Sequence, residues 1–104
     1  MFEPRLVLVR TTVADAKQAQ RLADAAVAMG AACVHVTPTR STYVWKGERK
    51  SEDEFIIEAR TTQGGEELVW NAWEDTHPYE VPVIESWTVR ANSAYVKWAA
   101  SMEK

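Results

Sequence analysis

The sequence predicts an α+β fold, a ferredoxin-like βαββαβ sandwich with an extra C-terminal helix, and three observations lead to it. Apolar residues follow strand and helix periodicities in the order strand, helix, strand, strand, helix, strand, helix. The tripeptide Arg-Thr-Thr occurs at 10–12 and again at 60–62, each time between a strand pattern and a helix pattern. This repeat indicates a split βαβ unit built twice. No linker divides the chain, so we expect one domain over residues 1–104.

The first strand and the first helix are predicted from hydrophobic periodicity. Leu6–Val9 is an apolar run suited to a buried strand. A helix is expected from about 14 to 29, because Thr12 and Asp15 match a capping box and Gly30 is a typical C-terminal stop. The residues expected to face the core recur at helical spacing: Ala19, Leu22, Ala23, Ala26, Val27 and Met29.

A long hairpin is predicted next. Residues 32–37 alternate as a strand, Pro38 interrupts the pattern, and Thr42–Trp45 resumes it. A proline is tolerated only at an edge or a bulge of a sheet. Residues 46–50 form a polar turn, and Phe55–Ala59 is the second arm.

The remaining elements are a helix at 66–76, a strand at Val81–Val89 and a last helix that Asn92 caps. Right-handed crossovers place the first two helices on one face of the sheet. The other face must then be covered by the trailing helix or by other subunits. The inner face expected for that trailing helix is Tyr95, Trp98, Ala99 and Met102.

Composition narrows the range of functions. Residues are 46% apolar and 26% charged, which is ordinary for a folded domain, and the net charge of −3 argues against nucleic acid as a partner. No apolar run reaches the ~18 residues of a membrane span. One cysteine cannot form an internal disulfide, and the N-terminal segment does not read as a signal peptide, so we expect a cytoplasmic location.

Five tryptophans are more than a core of this size is expected to absorb. Ser41, Tyr43 and Trp45 share one strand face, and an aromatic stripe of this kind is usually core or interface. We therefore predict Tyr43 and Trp45 as subunit-interface residues. The partner strand at 55–59 lacks the signature of an RNA-recognition sheet, which again disfavours nucleic acid.

Two short segments contain possible metal ligands. Cys33 and His35 lie on one strand face and could chelate a soft ion, although a buried cysteine is more often a small hydrophobe, and we disfavour a shared site. The string at 77–82, His-Pro-Tyr-Glu-Val-Pro, has two interpretations. It is either a rigid helix-to-strand connection, which the residues alone favour, or a pocket wall in which His77 and Tyr79 contact a ligand.

Two arginines, Arg10 and Arg60, are expected at neighbouring strand ends. Their repulsion requires either internal partners, for which Glu80 and Glu85 are candidates and which we favour, or a bound anion. No nucleophile triad, phosphate loop or pair of catalytic carboxylates is evident, so we expect no enzymatic activity.

The chain resembles the CutA family of divalent-cation tolerance proteins from about Leu6 to Trp98. The strings that carry the resemblance are Ala31-Ala32-Cys33-Val34, Ser41-x-Tyr43-x-Trp45-x-Gly47 with Glu54 after it, Arg60-Thr61-Thr62, His77-Pro78-Tyr79-Glu80-Val81-Pro82 and Tyr95-x-x-Trp98. The resemblance implies a homotrimer, a link to copper and other divalent ions, and ligand binding between subunits. Arg10, Arg60, His77 and Tyr79 would line that cleft, with no required cofactor.

Three positions depart from the family's pattern. Arg10 stands where some members have cysteine, Val83 where members usually have glutamate, and Ala91 where a glycine is usual. Of the positions at which a copper site would be proposed, only His77 keeps its ligand. A lone imidazole binds metal weakly, because affinity requires several convergent ligands. We therefore expect divalent-metal binding at His77 to be weak.

Overall fold

The computed structural model describes residues 4–104, which form one four-stranded antiparallel sheet and three helices. The strand order is β2-β3-β1-β4, which confirms the predicted ferredoxin-like arrangement. The elements are β1 (Arg5–Val13), α1 (Ala16–Ala28), β2 (Cys33–Trp45), β3 (Glu48–Thr61), α2 (Glu66–Thr76), β4 (Ile84–Arg90) and α3 (Ser93–Ala100).

The core lies between the sheet and the helices α1 and α2, and we call this side of the sheet the helix face. Trp73 of α2 is fully buried there, and its Nε1 donates a hydrogen bond to the carbonyl oxygen of Leu22 at 2.9 Å. That bond satisfies the only polar atom of the largest side chain in the core and ties α2 to α1. The cluster around it is Val7, Val9, Val13, Ala19, Leu22, Ala23, Ala26, Ala31, Ile57, Ala59, Val69 and Trp73.

The first helix begins later than predicted, because β1 continues to Val13 by pairing with Phe55 of β3. The capping box from Thr12 is therefore wrong. Asp15 is the N-cap, and its side chain accepts a hydrogen bond from the backbone N–H of Gln18 at 2.8 Å. A short polar residue with extended backbone at this position satisfies a donor that the first turn leaves free.

The hairpin is longer and more regular than predicted. Strand β2 runs through Pro38 without interruption, because it is an edge strand and pairs only with β3. The turn contains only Lys46 and Gly47, with φ of 49° and 81°, and Trp45 pairs with Glu48 across it. Two consecutive positive φ values are typical of the two-residue turns that join twisted strands.

The C-terminal elements also differ from the prediction. Strand β4 begins at Ile84 rather than Val81, and residues 81–83 form a connection. Asn92 is the N-cap of α3 but makes no side-chain hydrogen bond to the helix. Of the expected inner face of α3, only Ala99 is fully buried, whereas Trp98 is 47% exposed. The short helix packs mainly against β3, and Tyr95 on that face is partly buried.

The other side of the sheet, which we call the open face, is covered only in part. Leu6 and Leu8 alternate with the core residues of β1 and are buried, while Arg10 and Thr12 farther along the strand are partly exposed. Arg10 and Arg60 do not lie at neighbouring strand ends as predicted, because β1 and β3 are antiparallel and Arg10 pairs with Glu58 in mid-strand. No helix within residues 4–104 is long and apolar enough to cross a membrane.

Candidate functional site

A groove of about 710 Å³ lies on the open face, between the hairpin and the connection at 78–83, and we call it the hairpin groove. Alternation along the strands directs every second residue of β2 and β3 into it. Its principal side chains are Tyr43, Trp45, Glu52, Glu54, Tyr79 and Val81.

Two tyrosine–glutamate pairs define the polar part of the hairpin groove. The hydroxyl of Tyr79 donates a short hydrogen bond of 2.5 Å to Oε2 of Glu54, whose residue is only 8% exposed. Burial and then this bond to a carboxylate raise the pKa of Tyr79 well above its ordinary value. Partial desolvation and a side-chain hydrogen bond to Glu52 raise the pKa of Tyr43 in the same direction. Both phenols therefore stay protonated, and Tyr79 acts as a donor to the carboxylate of Glu54.

His77 directly precedes the connection at 78–83, and its hydrogen bonds hold that connection in place. Its Nδ1 accepts a hydrogen bond from the backbone N–H of Tyr79 at 3.1 Å, so the proton of the neutral ring is on Nε2. Nε2 donates to the carbonyl oxygen of Thr12 at 3.0 Å and lies 2.9 Å from the hydroxyl of Thr11. Burial lowers the pKa of His77, which favours this neutral form. A metal ion at His77 would have to replace one of these hydrogen bonds.

The predicted arginine pair forms a separate cluster, outside the groove lining. Glu58 lies between the two guanidiniums, 4.0 Å from Nη1 of Arg10 and 3.7 Å from Nη1 of Arg60. Arg10 also lies 3.4 Å from Glu85, as we expected, whereas Glu80 lines the hairpin groove instead. Glu58 was missed in the sequence because its position opposite Arg10 depends on the register of β1 and β3.

The Cys33–His35 pair is hydrogen-bonded in a way that opposes chelation. Sγ of Cys33 lies 3.6 Å from Nε2 of His35, and Nη1 of Arg60 lies 2.6 Å from Nδ1. A guanidinium only donates, so Nδ1 accepts and Nε2 carries a proton that points at sulfur. Metal at Nε2 would have to displace that proton. Within residues 4–104, no three His, Cys, Asp or Glu side chains are grouped so that they could hold a metal ion.

The structure thus brings together four of the residues that sequence reasoning selected, His77 and Tyr79 with Tyr43 and Trp45, and separates them from Arg10 and Arg60. Sequence reasoning assigned no role to Glu52. The sequence does place Glu52 and Glu54 two residues apart, and therefore on the same face of the second hairpin arm. Alternating polar residues on an exposed hairpin do not show which of its two faces forms a groove.

Comparison with known proteins identifies the family. The family model of the CutA1 divalent ion tolerance protein matches residues 7–102. The structure of CutA from Synechococcus elongatus PCC7942 superposes with a TM-score of 0.90 at 37% identity, covering 99% of this chain and 95% of that one.

Two relatives show how widely the family is distributed. The divalent-cation tolerance protein CutA of Thermus thermophilus is 31% identical over 92 residues, which are 86% of this chain and 82% of that protein. The chloroplastic protein CutA of Arabidopsis thaliana is 28% identical over 95 residues, 88% of this chain but only 52% of that longer protein. The family match spans nearly the whole described chain, and so this protein belongs to the CutA1 divalent ion tolerance family.

Proposed function

We propose that this protein acts in divalent-cation tolerance as a non-enzymatic cytoplasmic homotrimer whose inter-subunit clefts bind a small ligand or ion, with copper the first ion to test. The observation that carries the proposal is the hairpin groove, a ligand-sized concavity with one side open in a single chain. Apolar residues at its rim are exposed to an unusual degree, with Val81 at 66% and Val83 at 45%. Apolar rims of this kind are typical of surfaces that another molecule covers.

The shape of the hairpin supports assembly with further copies. Between Glu48 and Glu54, β3 pairs only with β2. Residues 39–54 therefore form a two-stranded arm without a third strand. Such an arm is marginally stable on its own. Tyr43 and Trp45 lie on one face of this arm, where a second copy would contact them at the edge of the groove and close its open side. A trimer also supplies the additional ligands that a cation site requires, because one chain groups too few in the part that the structure describes.

Two measurements test the proposal. Light scattering should give a mass of three times 11.7 kDa, and a value of 11.7 kDa at micromolar concentration would contradict the trimer. Calorimetry with copper should give binding no tighter than micromolar, because Arg10 and Val83 stand where further ligands are expected. Nanomolar binding that His77→Ala abolishes would contradict that weak site. A trimer that gives no calorimetric heat with copper or other divalent ions would favour a structural scaffold instead.

A further inference from the structure

The hairpin groove combines an excess of negative charge with three aromatic rings. We propose that the groove binds an aliphatic ammonium cation. This inference rests on the proposed function, in which the groove is a ligand cleft. The ammonium group lies between the carboxylates of Glu52 and Glu54, and the hydrocarbon chain packs against the aromatic and aliphatic wall.

The charges in the groove favour a cation. Three carboxylates, those of Glu52, Glu54 and Glu80, line it together with a single ammonium, that of Lys50. Nζ of Lys50 lies 4.0 Å from Glu48, at the outer end of the arm. Within residues 4–104, neither Glu52 nor Glu54 has an ion-pair partner within 4.0 Å, so both carboxylates of one chain are available to a cation.

The carboxylates retain acceptor capacity for an ammonium group. Tyr79 occupies Oε2 of Glu54, which leaves Oε1 without that donor, and the carboxylate of Glu52 is exposed near Tyr43. A carboxylate has about four lone-pair sites, so one tyrosine does not saturate it. Residues two apart on a strand are separated by roughly 7 Å, which allows one ammonium between the two side chains or two ammonium groups along them.

The same features disfavour a bare metal ion as the ligand of one chain. Divalent ions require several oxygen or nitrogen ligands at about 2.0–2.6 Å, and no such group exists in the described part of the chain. A groove of about 710 Å³ instead falls within the range of organic-ligand sites. Aromatic faces attract ammonium ions and limit their hydration, and Trp45 already holds the ammonium of Lys46 5.6 Å from its ring centroid.

The test uses 1,4-diaminobutane as the probe and 1,4-butanediol as its uncharged counterpart, titrated by calorimetry into the purified assembled protein at low ionic strength. We expect saturable heat from the diamine and none from the diol. Equal binding of the diol would overturn the proposal, because recognition would then not depend on the positive charge.

Variants on one strand locate the site. Glu52→Gln and Glu54→Gln should each weaken diamine binding about tenfold, since each removes a charge-assisted acceptor. The matched control is Asp53→Asn, which removes the same charge from the opposite strand face, where Asp53 pairs with Arg40 at 2.9 Å. It should change affinity less than about twofold by screened electrostatics. An equal loss in Asp53→Asn would overturn the proposal. If Glu54→Gln fails to fold, the exposed Glu52 carries the comparison.

The outcomes also separate this inference from the proposed function. A trimer that binds copper but gives no heat with the diamine would overturn the ammonium site alone. A monomer that binds neither would overturn both.

Discussion

The two faces of the sheet are formed by the same strands but hold different chemistry. On β1, Val7 and Val9 point to the helix face and are at most 2% exposed, while Arg10 points to the open face and makes ion pairs. The helix face is aliphatic around one tryptophan, and its only long-range side-chain hydrogen bond between helices is that of Trp73 to Leu22 within the described residues.

Beyond the buried Leu6 and Leu8, the open face is more polar and partly exposed, and its polar groups are satisfied in pairs. Glu58 forms ion pairs with two arginines, and Tyr79 donates a hydrogen bond to Glu54. His77 holds the connection that forms the groove wall. The difference indicates a division of roles: burial on the helix face supplies stability, and paired polar groups on the open face keep a concave surface available.

The largest effect is expected on the helix face. Trp73→Ala should lower the free energy of unfolding by about 3–5 kcal/mol, because it empties a fully buried site and removes a buried hydrogen bond. Trp98→Ala, at a site that is 47% exposed, is the control and should cost far less. Urea unfolding at one fixed protein concentration measures both. Equal losses would contradict the division between the faces.

On the open face, Tyr79→Phe should cost about 1–3 kcal/mol of unfolding free energy, because Glu54 is 8% exposed and would lose its donor. Tyr43→Phe is the matched control, since Tyr43 is 38% exposed and water can replace its hydroxyl. A Tyr79→Phe variant as stable as Tyr43→Phe would show that the short hydrogen bond contributes little.

The arginine cluster should respond to loss of its central carboxylate. Glu58→Gln should lower stability by about 1 kcal/mol, since the side chain is 22% exposed and lies near both guanidiniums. Glu48→Gln, at a side chain 79% exposed, should have little effect.

Phosphate adds a second readout at the same cluster. At matched ionic strength it should leave the Tm of the native protein unchanged and raise the Tm of Glu58→Gln, where an anion can replace the lost carboxylate. A rise in the native protein that Arg10→Ala, Arg60→Ala removes would instead favour a bound anion.

The smallest effect is a pH dependence from His77. Its pKa in the folded protein is lowered below 6.5, so the unfolded chain binds the proton more readily. The contribution to stability is therefore complete above pH 6.5 and is lost as pH falls through the lower, folded pKa. His77→Gln should make the decline in Tm between pH 7 and pH 5 shallower than in the native protein. Identical slopes of Tm against pH in the two proteins, each referred to its own Tm at pH 8, would contradict this role.

Much of the fold followed from periodicity. The helix predicted at 66–76 coincides with α2. Four of the six core residues predicted for the first helix are buried, but the prediction was wrong for Val27, which is 54% exposed. Element ends were less accurate, because β1 and β2 are lengthened by pairing with strands distant in sequence. Thr12 matched a capping pattern locally, yet its backbone lies in the sheet.

The sequence by itself determined which residues alternate, where helices stop, and which polar side chains require partners, since these depend on neighbours along the chain. It therefore predicted the ferredoxin-like order and selected His77 and Tyr79. Only the tertiary structure decided that Glu58 lies between Arg10 and Arg60, and that Glu54 meets Tyr79 in a groove. The reason is physical: strand register and the path of a connection are set by long-range packing, and a shift of one residue would turn each of these side chains to the other face.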